Sequence, residues 1–228
     1  AGGTRTLAGG RVVINPGQRP SAPPLPGLGA VPYLDSTSIM ELTEVPEHLV
    51  VLGGGYIGLE FAQMFRRFGA DVTVVQRGPQ LLPREDPDIA EAVADILRGE
   101  GVTVLLGTDT ERVSAEGGVT LTLKNGGRVT GSHLLAATGR TPNTDRLNVG
   151  AAGVELDERG YVKVNERLET SAEHVYAVGD VKGGPAFTHI SYDDFRILKA
   201  NLLNGENRSI RDREVPYTVF IDPQLGRM

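Results

Sequence analysis

The sequence predicts an α/β protein with a parallel sheet, an antiparallel meander and part of a second domain. Three observations support this prediction. An apolar run at 49–52 meets a glycine turn and then an apolar-periodic segment to about residue 68, which predicts a strand, a turn and a helix. A second apolar run at 71–75 predicts a neighbouring parallel strand. Alternating apolar residues across 111–130 predict the meander.

The segment before the glycine turn predicts few regular elements. A strand is expected from residue 11 into a turn at 17, and a proline-rich crossing between domains follows over 19–27. A capping-type start at Asp35 predicts a short helix that ends at residue 42.

Helix and strand signals alternate further along the chain. An Asp-Pro-Asp run at 86–88 opens a predicted helix to about Arg98, because acidic residues are favourable in the first helical turn. The elements predicted after it are a strand at 102–106, a hairpin turn at 125–127 and a strand at 133–137. The last third, from about residue 151, predicts short strands over 154–164, a strand over 174–178, a helix over about 190–203 and a strand over 215–220.

The composition excludes several classes of protein. A net charge of −6 leaves no basic stripe for phosphates, so no nucleic-acid partner is expected. No apolar run is long enough to span a bilayer and no apolar signal-peptide core is present, so the expected location is cytoplasmic, without a membrane. The chain has no cysteine, and its histidines lack metal-ligand spacing, so no metal site is expected.

The glycines at 53, 55 and 58 are spaced as G-x-G-x-x-G between the predicted strand and helix. Gly53 allows the sharp turn, Gly55 lets a pyrophosphate approach the backbone, and Gly58 lets the helix pack closely on the strand. Unpaired N–H groups at the helix start would bind the anion. In this context the motif predicts dinucleotide binding rather than a turn that serves packing alone.

Three segments carry a resemblance to a known family. They are Gly53-Gly54-Gly55-Tyr56-Ile57-Gly58-Leu59-Glu60, Ala137-Thr138-Gly139-Arg140-Thr141-Pro142-Asn143 and Val175-Tyr176-Ala177-Val178-Gly179-Asp180. In this order and spacing they resemble the pyridine nucleotide–disulfide oxidoreductases, the flavoprotein family of dihydrolipoamide dehydrogenase, glutathione reductase and mercuric reductase. Residues 76–85 look most similar to the mercuric-reductase-like branch.

The resemblance implies a Rossmann-like NAD(P)-binding domain inserted in a split FAD-binding domain. Residues 1–43 would end the first FAD half, 44–150 would form the NAD(P) domain, 151–212 the second FAD half, and 213–228 the start of a dimerisation domain. The chain would then be a central fragment of a homodimeric enzyme, with the redox cysteine pair before it and the catalytic His–Glu pair after it. The lack of cysteine fits both this truncation and a branch without a redox pair.

The resemblance also implies a set of nucleotide-binding residues. Glu60, as the candidate catalytic residue, would contact the nicotinamide and the flavin, and Tyr56 would cover the nicotinamide pocket. A favourable acid near a helix start and a packing aromatic are the simpler explanations for these two residues. The full set expected at the nucleotide is Gly53, Gly55, Tyr56, Ile57, Gly58, Glu60, Gln76, Arg77, Arg84, Thr110, Thr138, Gly139 and Arg140.

The end of the second strand favours NADP over NAD. An acid there would accept a hydrogen bond from the ribose 2′-OH, whereas Gln76 is neutral. Arg77 and Arg84 would bind a 2′-phosphate, although both could be solvated loop arginines. Gly58 argues for NAD, because NADP-binding members of the family often carry alanine there. The prediction is NADPH, and NAD remains the alternative.

A second cofactor is implied near Gly179 and Asp180. By resemblance, Asp180 would accept hydrogen bonds from the flavin ribityl chain, and the backbone N–H groups of Ala186, Phe187 and Thr188 would meet the isoalloxazine. An Asx turn is the alternative explanation for Asp180. FAD is therefore expected in the complete enzyme.

The family reaction passes hydride from nicotinamide to flavin and electrons on to a disulfide or another acceptor. We expect this chain to bind NAD(P)H without reducing disulfides by itself. A non-catalytic dinucleotide-binding or regulatory module is the alternative. A short-chain dehydrogenase is disfavoured, because no Tyr-x-x-x-Lys pair is present.

Overall fold

The computed structural model describes residues 5–228, so the first four residues of the predicted 1–43 segment lie outside it. The strands are β1 Val12–Ile14, β2 Gln18–Pro20, β3 His48–Leu52, β4 Asp71–Val75, β5 Thr103–Leu105, β6 Thr110–Ser114, β7 Val119–Leu123, β8 Arg128–Gly131, β9 His133–Ala136, β10 Arg140–Pro142, β11 Val175–Ala177, β12 Tyr217–Val219 and β13 Leu225–Arg227. The helices are α1 Tyr56–Arg67, α2 Pro87–Gly99 and α3 Thr188–Asn204, with 3-10 turns at Leu28–Ala30, Ser38–Glu41, Val149–Ala152 and Gly179–Lys182.

The chain folds into two compact units. The central unit comprises residues 20–139 and 218–226. The flanking unit comprises, among the described residues, 5–19, 140–217 and 227–228.

The central unit is built on a four-stranded parallel sheet with the order β5-β4-β3-β9. Leu52 at the end of β3 lies opposite Val75 of β4 and Ala136 of β9, so the three strands end at the same edge. The buried runs of β3, β4 and β9 read as nearly continuous apolar segments because both faces of a parallel sheet are covered. The predicted mixed α/β fold with a parallel sheet is confirmed.

Helices and a meander cover the sheet of the central unit. α1 packs against β3 and β4, and α2 packs against β5, each through residues at helical spacing. The antiparallel sheet β6-β7-β8 contributes Val113, Val119 and Leu121 to an apolar cluster with Val50 and Leu134 of the parallel sheet. Each such side chain contributes about 1.5–3 kcal/mol when it leaves water.

The helix that the Asp-Pro-Asp run predicts begins where expected. Asp86 is its N-cap residue with extended backbone, and Pro87 occupies the first helical position, where a missing N–H costs nothing. The segment predicted as a helix over 35–42 forms only the 3-10 turn Ser38–Glu41. It is anchored by the Asp35 carboxylate, which accepts the N–H groups of Thr37 and Ser38.

The flanking unit holds the parallel pair β1-β11 and helix α3. Its β2 pairs with β10. The pair β12-β13 near the end of the chain belongs mainly to the central unit. The predicted short strands over 154–164 are wrong apart from one isolated bridge between Leu156 and Val162. The alternation arises because Val154 and Val162 pack from irregular loops into a small apolar cluster, while Asp157 organises a turn between them.

Candidate functional site

The G-x-G-x-x-G turn lies at the carboxyl edge of the parallel sheet, the place where ligands bind in open α/β sheets. Gly53 has φ +111°, and a Cβ there would lie 2.5 Å from the Ala137 carbonyl oxygen. A Cβ on Gly58 would lie 2.4 Å from the Gly53 carbonyl oxygen. Side chains at either position would therefore collide with backbone, which is the packing role that the motif predicts for these two glycines.

Gly55 differs from the other two glycines because it faces open space. It is the N-cap residue of α1 with extended backbone, and no residue other than its chain neighbours has an atom within 4 Å of the place where its Cβ would be. No side chain caps this helix start. Gly55, Tyr56, Pro83 and Arg84 line a cavity of about 150 Å³ beside it. The arrangement leaves helix N–H groups, a cavity and a guanidinium-bearing residue next to one another.

Gln76 follows β4 and lies under the glycine turn. It is buried, its Oε1 accepts the Gly54 N–H at 3.1 Å, and its Nε2 donates to the Gln80 carbonyl at 3.1 Å. Both ends of the amide therefore bond to backbone. This explains why a glutamine stands here: its amide both donates and accepts hydrogen bonds, whereas an ionised acid could only accept them.

The loop between β4 and α2 is fastened to the glycine turn at two further points. The Leu82 N–H donates to the Gly54 carbonyl at 2.8 Å, with Leu82 at φ +45° and fully buried. The Tyr56 hydroxyl donates to the Glu85 carboxylate at 3.1 Å. Sequence reasoning missed Glu85, which is buried although it stands in a charged run with no periodic signal.

Arg77 is exposed at the start of the same loop. The Gly78 carbonyl accepts the Gly107 N–H at 2.8 Å, which brings the loop beside the segment leading to Thr110 on β6. In that segment Asp109 forms an ion pair with Lys124 at 2.6 Å. The hydrogen bond from Lys124, assisted by the charges of Lys124 and Arg77, lowers the pKa of Asp109. Arg77 thus lies in electrostatic reach of the ion pair between Asp109 and Lys124.

Glu60 lies on a face of α1 that holds the segment 220–222. Its Oε1 accepts the Phe220 N–H at 2.9 Å. One turn along, Gln63 accepts the Asp222 N–H at 2.7 Å and donates to the Asp222 carbonyl at 2.8 Å. Arg67, one turn further, forms an ion pair with Asp222 at 2.8 Å. Gln63 is another contact that the sequence analysis did not identify.

The remaining predicted nucleotide residues divide between the units. Ile57 is in the first turn of α1. Thr138 is exposed two residues after the end of β9, and its backbone nitrogen would lie 3.4 Å from a Cβ on Gly53, so it shares the sheet edge with the glycine turn. Gly139 follows, and its carbonyl accepts the Ser21 N–H at 3.0 Å. Arg140 belongs to the flanking unit, where its guanidinium donates to the Gln18 carbonyl at 2.8 Å.

The predicted flavin residues lie at a second glycine turn, in the flanking unit. Gly179 begins the 3-10 turn Gly179–Lys182 with φ +70°, and a Cβ there would lie 2.7 Å from the Asn15 Oδ1 atom. The Gly183 N–H bonds to the Asp180 backbone carbonyl and not to its carboxylate. The Asp180 Oδ1 atom lies at hydrogen-bond distance, 3.5 Å, from the Ser191 hydroxyl.

Ala186, Phe187 and Thr188 lead into α3. Phe187 is the N-cap residue with extended backbone, and Thr188 is the first residue of the helix. The Phe187 ring stacks on Tyr217 at 5.1 Å and on His189 at 5.5 Å, measured between ring centroids. This three-ring stack fixes the direction in which the chain enters the helix.

Across residues 5–228, no group of three or more His, Cys, Asp or Glu side chains could hold a metal ion. None of the helices in that range combines the length and apolar character needed to cross a bilayer.

The chain belongs to the pyridine nucleotide-disulphide oxidoreductase family, which matches residues 1–194. Its members are FAD-dependent enzymes that use pyridine nucleotides. The family resemblance predicted from three sequence segments is therefore confirmed.

Individual relatives support the same assignment. The chain is 43% identical over 228 residues to a probable pyridine nucleotide-disulfide oxidoreductase, RclA, of Escherichia coli K12, covering 99% of this chain and 52% of that protein. It is 40% identical over 229 residues to the mercuric reductase of Streptomyces lividans, covering 99% of this chain and 48% of that protein.

Solved structures agree in fold. The HOCl-induced flavoprotein disulfide reductase RclA from Escherichia coli superposes with a TM-score of 0.92 at 44% identity, covering 96% of this chain and 51% of that one. LpdA from Mycobacterium tuberculosis gives a TM-score of 0.86 at 31% identity, covering 95% of this chain and 47% of that one. The chain spans about half the length of these relatives.

Proposed function

We propose that this chain is the NAD(P)H-binding part of an FAD-dependent oxidoreductase. The observation that carries the proposal is the open space at Gly55, beside a cavity at the carboxyl edge of the parallel sheet. Gly53 and Gly58 are glycines because backbone lies where their Cβ atoms would be, but Gly55 has no such reason. A ligand that approaches the backbone closely supplies that reason.

The residues present fit a bound pyrophosphate. The start of α1 has N–H groups without a side-chain cap, and the positive end of the helix dipole favours an anion there. Arg84 lines the same cavity and would add a charge-assisted contact. Gln76 and Leu82 would keep the turn in its binding conformation, because both bond to Gly54.

In the proposed reaction, a bound NAD(P)H would supply the hydride that reduces the flavin, and the electrons would continue to a disulfide or another acceptor. Tyr56 lines the cavity and would cover the nicotinamide. Glu60 would orient the carboxamide as an acceptor, while the Phe220 N–H holds its Oε1 atom in place. A carboxylate that already accepts one backbone N–H loses less rotamer freedom when it binds a ligand.

We further propose NADPH as the preferred nucleotide. The exposed Arg77 at the end of β4 supports this preference, since a guanidinium binds a 2′-phosphate through paired hydrogen bonds. Lys124, paired with Asp109, is a second cation of the same neighbourhood. The Asp109 carboxylate would weaken phosphate binding, and its ion pair with Lys124 would reduce that effect.

The flanking unit would supply one wall of the FAD site. Gly179 and Asp180 would meet the ribityl chain, and residues 186–188 would present backbone N–H groups to the isoalloxazine. We also propose that residues 44–150 correspond to the NAD(P) domain and 151–212 to the second FAD half. The complete protein would be a cytoplasmic homodimer.

Titration of the 228-residue chain with NADPH and NADH, followed by nucleotide fluorescence, tests the proposal. We expect saturable binding of NADPH. Arg77→Glu should weaken NADPH binding about tenfold or more, because a hydrogen bond to a charged group is worth about 1.5–3 kcal/mol. NADH binding should change much less.

The control for this titration is Arg146→Glu, which makes the same charge change at an exposed site in the flanking unit. It should leave both affinities close to wild type. Equal loss of NADPH and NADH affinity in Arg77→Glu would contradict the NADPH preference. Absence of binding by either nucleotide would contradict the proposed function of the central unit.

A further inference from the structure

Asp194 of α3 is the most completely buried charged group that the proposed reaction does not use. Its relative exposure is 0%, and its carboxylate accepts hydrogen bonds from Gly179 and Arg213 and forms an ion pair with Lys182. Oδ2 accepts the Gly179 N–H at 2.8 Å and lies 3.2 Å from the Lys182 ammonium. Oδ1 accepts from the Arg213 guanidinium at 2.7 Å. The Asp194 carboxylate thus contacts the first residue of the turn, Gly179, its last residue, Lys182, and Arg213 in the segment after α3.

The charges around Asp194 balance within a small volume. The Lys182 and Arg213 side chains are only 5% and 11% exposed, and Arg213 also forms an ion pair with Asp193, between Nε and Oδ2 at 3.0 Å. Two cations therefore face two carboxylates. Removal of one member leaves a buried charge without its counter-charge, which is costly.

The position of Asp194 on α3 is one where an apolar residue would be ordinary. Ile190, Ile197 and Leu198 lie four residues before it, three after it and four after it, and all three are buried on the same helix face. A buried ion cluster stabilises a protein no better than well-packed apolar residues of similar volume. Packing alone therefore does not explain a carboxylate here, whereas its bond to Gly179 does.

The hydrogen bond between the Gly179 N–H and Asp194 holds the Gly179–Lys182 turn in a conformation that close packing requires. Gly179 has φ +70°, and a Cβ on it would lie 2.7 Å from the Asn15 Oδ1 atom. The backbone therefore packs closely against Asn15 and has to keep this conformation. Asp194 binds the first N–H of the Gly179–Lys182 turn and the side chain of its last residue, so it holds both ends. Asp180, between them, takes its direction from this turn.

We propose that Asp194 is a positioning residue that fixes the Gly179–Lys182 turn and thereby aims the Asp180 carboxylate at the flavin. The proposal rests on the proposed FAD site in the flanking unit. Asp194 itself would not touch the cofactor. Lys182 and Arg213 act as counter-charges that hold the buried carboxylate in place, so that its oxygen stays in line with the Gly179 N–H.

Amide hydrogen exchange at Gly179, measured by NMR on the ¹⁵N-glycine-labelled 228-residue chain, tests the anchor without any cofactor. Asp194→Asn keeps the shape but removes the charge, so Gly179 should exchange about tenfold faster, since a charge-assisted bond is about twice as strong as a neutral one. The matched control is Asp193→Asn, which removes a carboxylate from the same guanidinium without contact to Gly179. Its Gly179 exchange should match wild type.

A second variant covers the case in which Asp194→Asn fails to fold. The double variant Asp194→Asn with Lys182→Met removes one charge of each sign and keeps the cluster balanced. It should show the same faster exchange at Gly179. Wild-type protection of Gly179 in the folded Asp194→Asn chain or in the double variant would overturn the positioning role. Equal acceleration in Asp193→Asn would also overturn it, because the effect would then be general electrostatics.

The functional arm uses the complete flavoprotein, reconstituted from apoprotein and FAD. Asp194→Asn should weaken FAD binding about tenfold and shift the flavin absorption bands, while Asp193→Asn should do neither. Unchanged FAD affinity and an unchanged flavin spectrum in Asp194→Asn would overturn the proposal that Asp194 orients the Asp180 carboxylate toward the flavin. A wild-type protein that binds no FAD would instead overturn the proposed function, whereas the exchange result at Gly179 does not depend on it.

Discussion

Replacing Gly58 or Gly55 by alanine should separate the packing role of the glycine turn from its binding role. The Cβ of Gly58→Ala would lie 2.4 Å from the Gly53 carbonyl oxygen, about 1 Å closer than an ordinary contact, and this oxygen belongs to backbone that must move as a whole. Overpacking of this kind costs about 1–3 kcal/mol. The better helix propensity of alanine offsets about 0.8–1 kcal/mol, so the clash should win and the unfolding free energy should fall.

Gly55→Ala is the matched substitution three residues earlier. Apart from its neighbours in the chain, no residue has an atom within 4 Å of the added Cβ, and the φ of −87° and ψ of 178° suit alanine. The unfolding free energy should change by no more than about 1 kcal/mol, mainly through the weaker capping by alanine. NADPH affinity should fall about tenfold or more, equivalent to about 1.4 kcal/mol, because the methyl group would stand where the pyrophosphate approaches.

Two measurements on the same protein samples decide between these roles. Urea denaturation gives the unfolding free energy, and fluorescence titration gives the NADPH dissociation constant. We expect Gly58→Ala to lose stability and Gly55→Ala to lose affinity. Wild-type stability in Gly58→Ala would show that Gly53 can yield at little cost. Wild-type NADPH affinity in Gly55→Ala would refute the placement of the phosphate at Gly55.

Three further predictions concern the stability of the central unit. Leu121→Ala, which empties a fully buried position between the parallel sheet and the meander, should lower the unfolding free energy by about 2–5 kcal/mol in urea denaturation. Gln63→Leu should lower the unfolding free energy by about 1–3 kcal/mol, because the N–H and C=O groups of Asp222 lose their hydrogen-bond partner. It should also speed proteolysis within 218–226, and unchanged cleavage there would contradict this prediction. The hydrogen bond from Arg67 is the main cause that lowers the pKa of Glu100. The stability difference between wild type and Glu100→Gln should therefore be fully present above the ordinary glutamate pKa of about 4.3 and disappear as pH falls through the lower folded-state pKa. Urea denaturation of both proteins across this pH range checks the last prediction, and a difference that persists in acid would contradict it.

Elements with a local signal were predictable. The strand at 48–52, the glycine turn and the helix that follows were visible because apolar spacing and glycine positions depend only on neighbours in the chain. The same holds for the helix opened by Asp86 and Pro87. The loops over 154–164 were not predictable, since their apolar residues alternate as a strand would but pack without a neighbouring strand to pair with.

The supporting residues of the candidate site had no local signal. Glu85 and Asp194 stand in charged runs that read as exposed, yet both are buried by contacts with residues 29 and 15 positions away. Gln63 lies on a helix face that looks polar, but it binds the backbone of residue 222, 159 positions along the chain. Burial of a polar group depends on the donors and acceptors that distant segments bring to it.

The sequence by itself determined the family, the parallel α/β class and the two glycine turns, because glycine spacing and apolar runs are local properties of the chain. Tertiary structure alone decided which glycine faces open space and which faces backbone. It also decided that the Gln76 side-chain amide forms hydrogen bonds with the backbone of Gly54 and Gln80, and that Asp194 accepts the Gly179 N–H. These facts depend on where separate segments meet in space. A hydrogen bond needs its two atoms about 3 Å apart, and the sequence does not show which distant residues come that close.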